Sequence, residues 1–187
     1  MKKRLLCLFL TLALLVTVLL PAVPAAQAST KAEKTKAIGI VFDNSGSMYT
    51  GSNTSGWCRA TYATEAFASM MNEGDQLQIY PMSEITLDGT NQSYSMDSPL
   101  VIHGPEEASA IRKIFTNEPW DTPFSTVDKA YAGLMQTKAD EKYLVILTDG
   151  KFEEGNKVED MDHVNNTLAQ YCNDVQVMYL GLNVKNE

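Results

Sequence analysis

The chain alternates between short runs that are apolar at every position and longer stretches whose apolar residues recur at helical spacing. Residues 37–42 (AIGIVF) form an uninterrupted apolar run of strand length, which stops abruptly at Asp43-Asn44-Ser45-Gly46-Ser47. A run apolar on both faces belongs to a buried and usually parallel strand. Residues 77–82 (LQIYPM), 100–103, 143–148 (YLVILT) and 175–180 (VQVMYL) predict further strands, and Pro81 marks an irregular or near-edge end. Helical stripes lie between them. Ala60, Ala63, Phe67, Met70 and Met71 form one, stopped by Gly74; Ala108, Ile111 and Phe115 form another, opened by Pro105-Glu106-Glu107. Val127, Ala130, Tyr131 and Leu134 follow Ser125-x-x-Asp128, which has the form of a capping box, and Val158, Met161, Val164, Leu168 and Tyr171 mark the last helix. Residues 48–56 and 117–124 read as loops, and 84–99 as turns with a candidate hairpin. Strands alternating with helices predict βαβ crossovers. The expected fold is therefore α/β: a doubly wound, mostly parallel, Rossmann-like sheet with helices on both faces, which binds ligands at the carboxyl ends of its strands.

The first 28 residues follow a different pattern. Lys2, Lys3 and Arg4 precede an apolar run over residues 5–20, broken only by Thr11 and Thr17; Pro21, Pro24 and the small-x-small triplet Ala26-Gln27-Ala28 come next. This is the anatomy of a secretory signal peptide. The apolar run is short for a membrane span of about 20 residues, which disfavours an uncleaved anchor. The expected organisation is a signal peptide (1–28), a polar leader (29–36) and one domain (37–187). The mature chain is expected to be secreted or extracytoplasmic at the cell surface, and not inserted in the membrane.

Charge narrows the partners. The sequence carries 15 Lys+Arg against 23 Asp+Glu, a net charge of −8; without Lys2, Lys3 and Arg4 the balance is 12 − 23 = −11. A domain this acidic is not expected to bind nucleic acid or an anionic membrane through bulk charge, but suits a cation. Cys58 and Cys172 remain after loss of Cys7. Export permits a disulfide without requiring one. Their placement on crossovers of opposite sheet faces predicts that they do not bridge, and each is expected to pack on its helix as a small hydrophobe. With His103 and His163 scattered elsewhere, they make no zinc pattern.

The chemistry concentrates where two buried strands end in acids, Asp43 after IVF and Asp149 after VILT. A carboxylate in such a place is costly unless paired, hydrogen-bonded or metal-bound. In Asp43-x-Ser45-x-Ser47, the spacing of two sends three oxygen-bearing side chains the same way. Hard oxygen donors with few charges suit Mg2+ or Mn2+, not zinc or copper. The alternative for the motif alone is an Asx turn. Enzyme readings find little support. A haloacid dehalogenase-type phosphotransferase needs a second acid where Ser45 stands, and there is no Gly-x-Ser-x-Gly elbow and no phosphate-binding glycine loop.

With Thr122 in Trp120-Asp121-Thr122-Pro123 and Asp149 in Thr148-Asp149-Gly150, these residues make the sequence from about 36 to 183 resemble a von Willebrand factor type A domain. The resemblance implies a metal ion-dependent adhesion site. Ser45, Ser47 and Thr122 would bind Mg2+ (or Mn2+) directly, Asp43 and Asp149 directly or through water, and a partner protein's Asp or Glu carboxylate would complete the shell. Trp120 and Asp121 are candidates for the partner-contact rim; Asp121 stands where the family has glycine. The family's sixth strand and closing helix are expected beyond residue 187. The resemblance implies a cell-adhesion or interaction module and not an enzyme; the alternative is a docking domain of a larger enzyme or metal-insertion assembly.

Overall fold

The computed structural model describes residues 33–49, 56–116 and 121–182. The expected signal peptide, Trp120 and most of the 48–56 loop lie outside the described residues. The account below concerns the compact unit spanning residues 34–187. The main sheet contains β1 (Lys36–Phe42), β2 (Gln76–Pro81), β5 (Leu100–Ile102), β7 (Glu141–Thr148) and β10 (Gln176–Gly181). Its order is β10-β7-β1-β2-β5, and every pairing is parallel except β2 with β5. The fold is therefore α/β with a mostly parallel sheet, as the apolar runs require. Strands β3 (Ile85–Leu87), β4 (Ser93–Tyr94) and β6 (Ile114–Thr116) form a small antiparallel sheet, and β8 (Glu153–Glu154) and β9 (Lys157–Val158) form a hairpin.

Alternation along β1 divides the core. Ile38, Ile40 and Phe42 face α1 (Gly56–Ser69) and the 3-10 helix Pro105–Lys113. Ala37 and Val41 face α2 (Ser125–Gln136) and α3 (Met161–Tyr171). Helices thus cover both faces. Gly39 lies on the α2 side, where a Cβ would stand 3.1 Å from Leu134 Cγ; its bare backbone lets α2 settle against the sheet. Pro81 ends β2 inside the sheet, not at an edge. Met82 donates to Phe42 O, so the Pro81 nitrogen points to the β5 side, beyond the last β2–β5 pair at Ile79–Leu100, where no ladder bond is lost.

Five local readings need correction. Residues 105–113 are a 3-10 helix, and Phe115 is not on its core face: it lies in β6, 44% exposed, because Ile114–Thr116 pairs with β3. Tertiary strand pairing overrides the helical spacing there. The Ser125–Asp128 capping box does not form. The chain enters α2 through Phe124 in helical conformation, so Ser125 is already in the first turn and its hydroxyl turns to Met96 Sδ. In α1 the buried line is Gly56, Ala60, Thr64 and Ala68, which leaves Met70 68% exposed. The same line explains Cys58: two residues past Gly56 is about 200° around the helix, so its thiol faces solvent. Cys172, just past α3, is also exposed, so neither packs as a small hydrophobe; the two are not joined, and their helices cover opposite faces. Val158, assigned to the last helical stripe, lies in β9, and α3 is capped by the Asp160 carboxylate accepting from Asp162 N. No helix among the described residues is long and apolar enough to cross a membrane.

Candidate functional site

Parallel strands β1 and β7 end side by side. Asp43 N donates to Leu147 O (3.0 Å), which holds the end of β1 against β7. The Asp43 side chain is fully buried, and both its oxygens are occupied: Oδ1 accepts from Ser45 N (2.9 Å) and Oδ2 from Thr148 Oγ1 (2.6 Å). The first bond curls the backbone around the carboxylate. A 3-10 turn, Gly46–Tyr49, then brings Ser47 back over Ser45. That turn is pinned from beneath: Met48 is fully buried, and Tyr49 stacks on Trp57 (4.8 Å), which packs edge-on to Phe42 (5.1 Å).

The hydroxyls then form a chain. Ser47 Oγ donates to Asp149 Oδ1 (2.8 Å), and Ser45 Oγ lies 3.0 Å from Ser47 Oγ. Because the Ser47 proton is spent on the carboxylate, Ser45 supplies the proton between the two serines and keeps both its lone pairs. Burial pushes the Asp149 carboxyl above its ordinary range; the Ser47 hydrogen bond opposes the shift, and the nearby Asp43 charge adds to it. Two carboxylates drawn together with three hydroxyls are a local concentration of negative charge that a cation relieves.

Thr122 arrives from the loop before α2. It forms a two-way backbone bridge with Glu153 (2.7 and 3.0 Å), while its hydroxyl donates to Lys151 O (2.8 Å) and accepts from Glu153 N (2.9 Å). A hydroxyl has one proton and two lone pairs, so one lone pair is left over. All five residues singled out in the sequence, Asp43, Ser45, Ser47, Thr122 and Asp149, line one open cleft of about 460 Å³. The Asp121 carboxylate lies at the side, accepting from Gly155 N (3.3 Å) in the β8–β9 turn.

The donor set is oxygen throughout. The lining of the cleft contains no His or Cys. Two carboxylates and three hydroxyls fit a small hard cation of the Mg2+ or Mn2+ type. His103 and His163 are both exposed, and the His163 ring packs against Phe124 (5.9 Å).

Sequence reasoning missed three contributors. Asn44 is fully buried between the ligand positions and bonded to Ser83 and Thr116. Thr148 reads as the end of a strand but donates to Asp43. The backbone of Lys151 and Glu153 clasps Thr122, and Phe152 anchors that segment by packing edge-on to Phe124 (5.0 Å). The apolar Phe152 between charged neighbours was the one readable signal.

The sequence matches no family model, and no curated protein matches it. Among solved structures, it is similar to the vWF domain of the type V pili tip protein Mfa5 from Porphyromonas gingivalis, at 16% identity and a TM-score of 0.45, over 64% of this chain and 38% of that one. A structure of three N-terminal domains of the same protein gives 16% identity and a TM-score of 0.45, over 64% of this chain and 20% of that one. The chain therefore spans less than two fifths of either structure's length. At this identity the likeness concerns the arrangement of strands and helices and nothing finer.

Proposed function

We propose that this chain is an exported protein-binding module of the von Willebrand factor A type. In this reading it is not an enzyme, and it captures a partner's Asp or Glu carboxylate at a divalent cation held by Asp43, Ser45, Ser47, Thr122 and Asp149. The observation that carries the reading is the convergence of three separate segments, residues 43–47, 122 and 149, on one oxygen-lined cleft at the carboxyl ends of β1 and β7. When bound, the cation supplies an electrophilic centre with a position open to an incoming carboxylate.

The residues divide the work. Asp43, with both oxygens taken by protein donors, positions Ser45 and adds charge. Ser45 and Thr122 offer lone pairs from hydroxyls whose protons already have acceptors. Asp149 supplies the second charge, oriented by Ser47. Residues 1–28 support export.

The reading predicts that Mg2+ or Mn2+ raises the melting temperature, since a ligand bound only by the folded state stabilises it by about 2.7 kcal/mol at a hundredfold excess over Kd. Ser47→Ala, an exposed position, should keep the fold and lose most of the increment; Asp43→Ala should lose it entirely. Calorimetry in cation against chelator measures this. An equal increment in both variants removes the cation from this cleft.

A further inference from the structure

We propose a second binding site, separate from the cation cleft, that takes a neutral saccharide. It is an open cleft of about 560 Å³ over the β2 end of the sheet, between α2 and the loop before β5. That is within the range of about 300–1,000 Å³ typical of small-molecule sites.

The floor is the first observation. On β2, Leu77 and Ile79 point into the core beneath α1, as a buried strand requires. The opposite face of the same strand carries Gln76, Gln78 and Tyr80, of which the first two are only half-buried. Half-buried carboxamides that face an open cleft keep donors and acceptors available to whatever fills it. The Tyr80 hydroxyl donates to Gln78 Oε1 (2.7 Å), which fixes that amide and leaves its N–H groups to donate. No other side-chain bond of Gln78 forms among the described residues, nor any of Gln76 or of Gln136, which reaches the cleft from α2.

The second observation is that the wall is shaped for this floor. Gly133 in α2 meets it, where a Cβ would stand 1.8 Å from Tyr80 Oη and 3.2 Å from Gln78 Oε1. The absence of a side chain there admits the Tyr80–Gln78 pair to the cleft. Met96, Pro99 and Ala132 add an apolar lip to the lining. The lip is fastened: Ser125 and Thr126 hydroxyls point at Met96 Sδ (3.8 and 3.6 Å), and Asp97 pairs with Lys129 of α2.

These features select the ligand's chemistry. The charges in the cleft, Asp97 and Lys129, neutralise one another, so nothing in it attracts an ion. Three carboxamides offer donor and acceptor side by side, the match for vicinal hydroxyls that each donate and accept. The apolar lip suits the C–H face of a pyranose ring. A neutral, polyhydroxylated ligand meets both walls. An uncharged peptide main chain offers donors and acceptors too, but it lacks a second apolar face and there is no long free strand edge beside the cleft, since β5 is three residues.

Saturation-transfer NMR with lactose, maltose and diacetylchitobiose at millimolar concentration tests the proposal. At least one disaccharide should show transfer to its ring protons. Gln78→Leu and Gln136→Ala should weaken binding by at least about tenfold together, the loss of one or two hydrogen bonds. Chelator and Ser47→Ala should leave it unchanged, which separates this site from the cation cleft. The proposal is overturned if no disaccharide receives transfer from a protein whose melting is normal, or if the double variant binds as well as the parent. It is also overturned if acetyl-triglycine amide displaces the saccharide at equal concentration, which assigns the cleft to peptide main chain.

Discussion

At the residue scale, the side chain that organises the cation cleft without facing it is Asn44. It is fully buried, donates to Ser83 O and Thr116 Oγ1 (both 3.0 Å), and accepts from Ser83 N (2.8 Å). Those bonds tie the end of β1 to two segments beyond β2. Asp43 and Ser45, on either side, are thereby turned toward β7. Asn44→Ala strands a buried amide N–H and a carbonyl, a cost of about 2–3 kcal/mol. It should also blunt the cation-induced rise in melting temperature, because Ser45 loses its fixed direction. Urea unfolding with and without Mg2+ measures both, and a variant of parental stability refutes this role. The contrast with its neighbours shows what a sequence discloses at this scale. Asp43, Ser45, Ser47 and Asp149 are legible because a carboxylate at the end of a buried apolar run demands a reason and a spacing of two places three oxygens together. Asn44 occupies an unconstrained position of that pattern, and its partners lie 39 and 72 residues away. Thr148 hides for a similar reason, since a threonine ending a strand needs no explanation until Asp43 is found 2.6 Å from it.

At the element scale, the strands are legible and the joints are not. The apolar runs and near-runs mark the strands, and β1, β2, β7 and β10 stand within a residue or two of the expected limits, although β10, at the sheet edge, is largely exposed. Short elements depend on what they touch: residues 114–116 are a strand because β3 is there to pair with them. One joint that no periodicity reveals lies between α2 and α3. Tyr131 and Tyr171 stack with centroids 3.8 Å apart and planes within 7°. Each hydroxyl reaches past the other ring to a carboxylate, Tyr171 to Asp128 and Tyr131 to Asp174, both at 2.7 Å. Burial, and then the Asp128 hydrogen bond and charge, push the Tyr171 hydroxyl above its ordinary value of 10.0. A group whose folded pKa is raised stabilises fully below its unfolded pKa. The contribution is lost as pH rises past about 10 toward the folded value. Tyr171→Phe keeps the ring and removes the hydroxyl, so it should cost about 0.5–1.5 kcal/mol at neutral pH. It should also flatten the fall in stability between about pH 9 and 12, without abolishing it, because Tyr80 and Tyr131 are shifted the same way. Urea midpoints across that range test the joint; coincident curves for parent and variant would show that the hydroxyl contributes nothing.

At the scale of the whole molecule, the cation cleft must be weighed against the charge around it. The domain after residue 28 carries 12 − 23 = −11, so its surface field repels acidic chains. A partner that offers a carboxylate must then be held by a short-range contact strong enough to overcome that repulsion. Such a contact is screened little, whereas a charge-patch interface weakens as salt shortens the Debye length from about 10 Å at 0.1 M to 3 Å at 1 M. Partner binding is expected to vanish in chelator and to strengthen slightly, or change only a few-fold, as salt rises. Thr122 provides the sharper test, because in the fold it both faces the cleft and fastens the 151–153 segment. Thr122→Ser retains the hydroxyl for both tasks and should bind nearly as the parent does. Thr122→Val retains the shape, loses the hydroxyl's two bonds and its spare lone pair, and should abolish capture while the β-bridge to Glu153, made by backbone atoms, keeps the loop in place. Surface-coupled partner titrations from low to high salt, with Mg2+ or chelator, compare the three proteins directly. If binding survives chelator, or if Thr122→Val binds as Thr122→Ser does, the carboxylate is not captured through a cation at this cleft, and steep weakening by salt would assign recognition to surface charge instead.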